Sequence, residues 1–515
     1  MAVSHRNSVL ISPLDRLNSL VYLHWSLVLH VHNRERAIQQ LTNGLSRVAT
    51  AVPYLKGHVS YPEKNEPALT TRLELSWGPD DADLVLREHV LANQLPDLAT
   101  MRRQNAPAHF FPTDIISLPL FVPVTSGKPQ PVFEATYINI DGGLVLNMCV
   151  HHGVMDGRGL ATVTELWAEF TRLGTRSEKD MTGSMLLTKL PMPDEPCLRT
   201  RKLVEAAGLD EETKPNKPLK ELVDRYEADH AFGHDLMALL SITAAGPKCG
   251  SHIFTFSGHK IERAKNILSR EADLAEHSIT TNSVLHAVIW STITRLRLCR
   301  RAQRPPTSVS RCSLAVDGRS RLAPAISEDG PYLGNVVLIS SVDLSLEVLE
   351  TAGRCASSAS PCSLAPVIKT IANATKRITK DHIAGLLSAL QQVGDTSDVG
   401  PGWLSPHRIN FMSSSWANLP LYECDFGPEF SELGPAGSGG GDGGDAAREE
   451  TETPRGNPVF VRYPYAEYND GNVVVLPRRR KPAGEEEAIE AYVMLAEDDL
   501  LALGEDDVFR SWLLV

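Results

Sequence analysis

No two of the eight cysteines (Cys149, Cys197, Cys249, Cys299, Cys312, Cys355, Cys362 and Cys424) are spaced C-x-x-C. That absence excludes a zinc ribbon and a thioredoxin-like dithiol, and it fits a chain whose thiols stay reduced inside the cell. Long apolar runs are missing as well. The most apolar early stretch, residues 20–31, is interrupted by His24 and His30 and falls short of the ~20 residues that a membrane span needs. The first residues carry no apolar core ahead of a small-residue cleavage site, so no secretory signal is expected. Basic charge is short: 51 Lys and Arg against 63 Asp and Glu leave a formal net charge of −12. With no basic excess to neutralise phosphates, nucleic acid is excluded as the main partner, although a local cluster suffices for a small phosphorylated ligand. Together these absences predict a soluble, cytoplasmic protein.

What is present is ordinary for a globular chain: 42% hydrophobic and 22% charged residues over 515 positions. Two large lobes or three ordinary domains fit that length, and the core they bury needs no disulfide or metal to hold it. Residues 187–220 are rich in Pro, Lys and Glu, which predicts an exposed crossover. Residues 431–457 are Gly-rich and then acidic, with almost nothing to bury, which predicts a disordered insertion. Between these, strands and helices alternate. Ile38, Leu41, Leu45 and Val48 recur at helical spacing within 34–48. Residues 132–140 and 144–150 flank Asp141-Gly142-Gly143 as a hairpin, and the second run is apolar enough to lie deep in a sheet. A helix follows over 161–173 with Gly174 as its stop, another over 282–298, and late strands at 473–476 and 488–495. The pattern is α/β or α+β.

Between the buried strand and the helix after it stands His151-His152-Gly153-Val154-Met155-Asp156-Gly157-Arg158-Gly159. Three glycines here allow a tight turn with positive φ angles. A histidine pair at the end of a core strand, just before a helix, occupies a position where α/β proteins place their sites. The plainer reading is a pair of satisfied polar residues at a strand end. Zinc is disfavoured, because no third and fourth ligand stand at sensible spacing.

HHGVMDG resembles the HHxxxDG motif of the CoA-dependent acyltransferase superfamily. Further stretches resemble one branch of it, the BAHD acyltransferases. These are Leu14-Asp15, Pro53-Tyr54-Leu55-Lys56-Gly57, residues 280–290, Asp317-Gly318-Arg319-Ser320-Arg321, Tyr332-Leu333-Gly334-Asn335, Ser415-Trp416 and Asp425-Phe426-Gly427, in family order along almost the whole chain. The family's Trp-Gly after D-F-G is replaced by Pro428-Glu429. That change, with the paired histidines, is similar to the fungal trichothecene 3-O-acetyltransferase-like branch. D-F-G also occurs in protein kinases, but no H-R-D loop or strand-borne Gly-rich loop accompanies it, which excludes that reading.

The resemblance implies two chloramphenicol-acetyltransferase-like lobes, each a mixed sheet with flanking helices, with a tunnel between them. The division expected is 1–190 for the N-terminal lobe, 191–250 for a crossover linker and 251–515 for the C-terminal lobe. It implies an acyltransferase that moves an acyl group, typically acetyl, from acyl-CoA to a hydroxyl of a small secondary metabolite. Acyl-CoA is then a co-substrate; no permanent cofactor or metal is implied, and a monomer is usual. By motif position His152 is the general base, since an imidazole with a pKa near ~6.5 can take an alcohol proton at neutral pH. Asp156 is implied to support the site through an ion pair with Arg319, or alternatively Arg321. Gly157, Asp425 and Gly427 are implied to be structural, and Ser415 and Trp416 to line the substrate site. The run Arg478-Arg479-Arg480-Lys481 is either a contact for CoA phosphates or, more simply, a solvated turn. Which residues bind CoA is not specified by the motifs. Three other readings keep the scaffold: an N-acyltransferase, a condensation-like enzyme using acyl groups on a carrier protein, and a non-catalytic binding protein.

Overall fold

The computed structural model describes residues 6–18, 20–60, 73–123, 128–174, 196–209, 219–226, 229–232, 246–300, 305, 307–328, 330–393, 399–401, 409–433, 455–465, 470–479 and 485–514. Of the insertion expected over 431–457, residues 434–454 lie outside the described residues. The chain forms two compact units, neither of them continuous in sequence. The first combines 1–200, 326–335 and 419–464; the second combines 201–325, 336–418 and 465–515. Two stretches from the expected C-terminal lobe therefore cluster with the N-terminal part.

The first unit is built on a five-stranded sheet ordered Phe460–Arg462, Tyr22–His30, Gly143–His151, Phe133–Ile140, Arg87–Glu88. Neighbours run antiparallel except for the last pair. The predicted hairpin closes with Ile140 opposite Gly143, and Gly142 sits at φ +79°, a conformation that glycine adopts at little cost. All nine positions of Gly143–His151 are buried, as its apolar run demands. Its last residue, His151, pairs with Tyr22 at the other end of the neighbouring strand. His152 is thus the first residue beyond the ladder.

Two amphipathic helices of the first unit, Arg34–Ala51 and Gly157–Leu173, pack against each other. Trp167 Nε1 donates to the Leu41 carbonyl at 2.9 Å, and a Cβ at Gly44 would lie only 2.5 Å from Thr171 Oγ1. Leu41, Leu45, Val48, Val163, Leu166, Trp167 and Phe170 are buried there. Fully burying a large apolar side chain of this kind is worth about 1.5–3 kcal/mol, enough to fix where the helix after His152 lies.

The second unit holds a six-stranded mixed sheet ordered Cys249–Ser257, Ala488–Ala496, Asn472–Val475, Phe411–Ser415, Val309–Asp317, Val337–Ser345. Phe411–Ser415 runs parallel to both of its neighbours, and the other pairs are antiparallel. The late strands expected from sequence are two of these. The helix Thr281–Arg300 of this unit is buried along most of its length, with Trp290 Nε1 donating to Ser310 Oγ at 2.8 Å.

The stretch 187–220 is not exposed throughout, contrary to its composition. Pro196–Ala207 is helical, and Arg199, Leu203 and Val204 are buried. A few anchoring side chains decide this, and an average over a Pro- and Lys-rich segment hides them. Among the described residues, no helix is long and apolar enough to cross a membrane.

Candidate active site

The two adjacent histidines have different fates. His151 ends the strand fully buried, its Nδ1 accepting the Gly153 N–H at 3.1 Å and its ring meeting Tyr22 edge-on at 5.3 Å. Burial pushes its pKa down to about 3, with the neighbouring His152 adding to the shift. A ring that stays neutral and spends its lone pair on the turn holds the loop and is unfitted for proton transfer. His152, one residue later, is half-buried, and its N–H is tied to the Val21 carbonyl at 3.0 Å.

Asp156 caps the helix Gly157–Leu173. Its Oδ1 accepts from the N–H groups of Arg158 and Gly159, both at 3.1 Å, satisfying two of the orphan donors at a helix start. The glycines of the motif do not use the positive φ angles that they allow. Gly153, Gly157 and Gly159 are all absent from the residues with positive φ. Gly159 is required instead by close approach, since a Cβ there would lie 2.2 Å from the Leu333 carbonyl oxygen. Gly157 is simply the first residue of the helix.

That close approach brings in the stretch 326–335 and, at its end, Asn335, which is completely buried. Asn335 Nδ2 donates to the His152 carbonyl and to Asp15 Oδ1, each at 2.7 Å, while Asn335 Oδ1 lies 3.1 Å from His152 Nδ1. Both amide hydrogens are spent on acceptors, so the end facing the imidazole is oxygen. Flipping the amide would set its oxygen against a carbonyl and a carboxylate. An oxygen there calls for a proton on Nδ1, which leaves Nε2 as the acceptor nitrogen of the neutral ring.

Behind Asn335, Asp15 is fully buried and receives three donors. The Asn335 N–H and Nδ2–H reach its Oδ1 at 2.7 Å each, and the Ser12 hydroxyl reaches its Oδ2 at 2.7 Å. Arg199 Nη1 stands 3.9 Å from Oδ2. The same guanidinium donates to the Val154 carbonyl at 2.5 Å and to Tyr54 Oη at 2.7 Å, and it lies over the Tyr54 ring at 4.9 Å. Burial pushes the Asp15 carboxyl above its ordinary range, while Arg199, Asn335 and Ser12 pull it back toward the ionised form. For His152, burial lowers the pKa; its own backbone carbonyl, Asp156, Asn335 and Asp15 each oppose that shift. The result is an imidazole neutral at pH 7.

Of the other residues singled out from sequence, Asp425 and Gly427 belong to the first unit and organise a turn. Asp425 Oδ1 accepts from the N–H groups of Gly427 at 2.9 Å and Gly456 at 2.8 Å, and Gly427 sits at φ +97°. The residues that replace the family's Trp-Gly are used too: Glu429 is buried and pairs with Arg36 at 2.9 Å. Ser415, Trp416, Arg319 and Arg321 belong to the second unit. Ser415 ends its strand with Oγ accepting from Asn282 Nδ2 at 2.9 Å, and Trp416 is buried with its N–H on the Val475 carbonyl. Arg319 makes an ion pair with Asp317 at 3.1 Å, and Arg321 Nε donates to the Ile378 carbonyl at 3.3 Å. In the basic run, Arg478 pairs with Glu487 at 3.4 Å, while Arg480 and Lys481 lie outside the described residues. Among the described residues no group of three metal-ligating side chains occurs. Sequence reasoning named Leu14-Asp15 and Tyr332-Leu333-Gly334-Asn335 only as marks of resemblance, and it missed Arg199 entirely.

Residues 21–169 match a family model described as the trichothecene 3-O-acetyltransferase-like N-terminal domain. The chain is 44% identical over 506 residues to trichothecene 8-O-acetyltransferase of Fusarium sporotrichioides, covering 98% of this chain and 97% of that one. It is 23% identical over 512 residues to trichothecene 3-O-acetyltransferase TRI101 of the same organism, covering 96% and 93%. Among solved structures, it resembles TRI101 of F. graminearum complexed with coenzyme A and deoxynivalenol, with TM-score 0.70, 20% identity, and 98% and 99% of the two chains covered. Vinorine synthase shares the fold more distantly, with TM-score 0.54, 14% identity and 96% and 95% coverage.

Proposed function

The chain belongs to the trichothecene 3-O-acetyltransferase-like family of BAHD-type acyltransferases, and we propose that it acetylates a hydroxyl of a trichothecene-like metabolite with His152 as general base. The enzyme is an acyl-CoA-dependent O-acyltransferase, and acyl-CoA is its co-substrate. The observation that supports His152 as base is the Asn335 oxygen at 3.1 Å from its Nδ1, which leaves Nε2 unprotonated. Nε2 accepts the proton of the acceptor hydroxyl as that oxygen attacks the thioester carbonyl. The tetrahedral intermediate then collapses, the carbon–sulfur bond breaks, and the proton passes from Nε2 to the leaving thiolate. Ester and free CoA thiol result.

A positioned general base contributes roughly 10²–10⁴-fold to rate, and holding both substrates in place supplies much of the rest. Ser415 and Trp416 complete the reading as substrate-binding residues. The Ser415 oxygen already accepts from Asn282, so its proton is left to donate to a substrate oxygen such as the developing oxyanion. Arg319 is the proposed partner of Asp156, to be tested by a double-mutant cycle in which paired groups give non-additive losses. The seven described cysteines are all free thiols, which supports action in the cytoplasm; the state proposed for it is a monomer.

The test is release of free thiol from acetyl-CoA and longer acyl-CoAs against hydroxylated trichothecenes and a panel of amines. Turnover with acetyl-CoA and a hydroxyl acceptor, lost in His152→Ala, is the expected result. Thiol release that survived His152→Ala would overturn the base assignment, and activity only with acylated carrier protein would overturn the donor.

A further inference from the structure

Asp15 is a fully buried carboxylate that the reaction as described does not use. Its contacts are unusual for a residue at the start of a short helix. Oδ2 takes the local hydrogen bond from Ser12, whereas both bonds to Oδ1 come from one distant residue, the N–H and the side-chain amide of Asn335. That residue is also the one bonded to the His152 ring. We propose that Asp15 is a positioning residue for His152, acting through the Asn335 amide, with Arg199 as its counter-cation. The inference deepens the reading of His152 as base and rests on it.

An amide side chain has two nearly isosteric ends, and its environment decides which end faces which neighbour. At Asn335 the acceptors on one side are the His152 carbonyl and the Asp15 carboxylate. Their combined pull turns the NH2 toward them and the oxygen toward His152 Nδ1. Were the carboxylate absent, the amide would be freer to flip, present its NH2 to Nδ1, and favour the tautomer with the proton on Nε2. That tautomer cannot accept a proton from the substrate. The carboxylate thus adds, through Asn335, to the pull of the His152 backbone carbonyl toward the reactive form of a ring it never touches.

The charge has a second effect. The charged and titratable groups facing this assembly are His151, Asp156 and Asp15 around the imidazole, and Arg199 beside Asp15. His151 stays neutral through the working range, since burial holds its pKa at about 3. Asp15 and Asp156 both favour the protonated imidazole and so raise the His152 pKa against burial. Removing the Asp15 charge removes one of these opposing influences. The His152 pKa then falls, and the neutral base persists to lower pH.

Asp15→Asn keeps the shape and removes the charge. Its kcat is expected to fall by about 10-fold or more with both KM values within about 2-fold, because the base is misoriented while the binding surfaces are untouched. The acid limb of kcat/KM should move to lower pH as the through-space charge is lost, and the ring tautomer is the readout that a purely structural aspartate would not move. In 15N-histidine-labelled protein, His152 should show an unprotonated Nε2 in the parent and gain the Nε2–H tautomer in the variant. A folded Asp15→Asn with parental kcat, acid limb and tautomer would overturn the proposal. If that variant does not fold, Asn335→Ala decides in its place, since the hydrogen-bonded path from Asp15 to the imidazole runs through that amide. Parental kcat and acid limb in Asn335→Ala would then overturn the relay. His152→Ala separates the two levels: activity surviving there sinks the base itself, whereas a dead His152→Ala beside a parental Asp15→Asn sinks only the relay.

Discussion

Asn335 grips His152 at two points, donating from Nδ2 to its backbone carbonyl at 2.7 Å and presenting Oδ1 to its Nδ1 at 3.1 Å. One side chain therefore helps to hold the residue in place and, with the residue's own backbone carbonyl, favours the proton on Nδ1. The two residues are 183 positions apart, and the contact exists because the short stretch 326–335 joins the unit that carries the histidine motif.

Burial lowers the His152 pKa, and the groups that oppose it do not fully restore it. A base must be unprotonated to act, so kcat/KM should rise with pH through a limb centred below the ordinary histidine value of about 6.5, then level off by neutrality. His151 contributes no second limb near neutrality, because its pKa of about 3 lies well beneath the range. A pH–rate profile of the free enzyme checks this. A midpoint above pH 7 would mean that a different group, or a different protonation state, limits the reaction.

Much of this site was legible in sequence, and what was not has a physical reason. The apolar run 144–150, the Asp141-Gly142 turn and the helical spacing after Gly159 are local signals, and each appears in the structure where expected. Asp15 and Asn335 leave no such trace. They stand 320 residues apart, and a hydrogen bond between two side chains imposes no period on either segment. Arg199 was obscured further by the Pro- and Lys-rich composition around it, although a single buried guanidinium suffices to anchor a helix. The glycines misled in a different way. Three of them in a short loop allow left-handed backbone, whereas Gly159 answers to the Leu333 carbonyl 2.2 Å from where its Cβ would be.

Gly159→Ala is accordingly predicted to damage catalysis without touching any reacting group. The new methyl would meet backbone, which cannot rotate away, so either the helix or the 326–335 stretch must shift. Overpacking of this sort typically costs about 1–3 kcal/mol. Because Asn335 lies two residues beyond Leu333, the shift also reaches His152. Denaturant unfolding should show the stability loss, and kcat should fall more than either KM. Unchanged kcat in a folded Gly159→Ala would show that the contact has slack.

Asp156 combines a cap and a charge, and two substitutions separate them. Asp156→Ala removes the acceptor for the Arg158 and Gly159 N–H groups and should cost about 0.5–2 kcal/mol from the cap alone. Asn is as good a cap as Asp, so Asp156→Asn restores that part while still lacking the charge. If the carboxylate also serves the proposed ion pair with Arg319, Asp156→Asn stays well below the parent, since breaking one side of a buried pair costs about 3–5 kcal/mol. Urea melts of the two variants side by side give the answer. Equal stability of Asp156→Asn and the parent would confine Asp156 to capping.

Arg199→Met isolates the counter-cation of Asp15. The substitution keeps much of the apolar stem and removes a buried guanidinium that stands 3.9 Å from Asp15 Oδ2 and donates to the Val154 carbonyl and Tyr54 Oη. Two losses follow, and they differ in pH dependence. The unsatisfied Val154 carbonyl costs about 1–3 kcal/mol at every pH. The uncompensated Asp15 charge costs more, but only while the carboxyl is ionised. Without Arg199 the folded-state pKa of Asp15 rises further above its unfolded value, because burial already pushes it upward and its strongest opposing charge is gone. A carboxyl raised in the folded state opposes folding fully above its folded pKa and not at all below its unfolded one. The deficit of Arg199→Met relative to the parent should therefore be largest at neutral pH and shrink as the pH is lowered toward the ordinary carboxylate range near ~3.9. Parallel urea titrations of parent and variant across that range measure it. A deficit constant with pH would mean that Asp15 is already protonated in the native enzyme and that Arg199 acts through its hydrogen bonds alone.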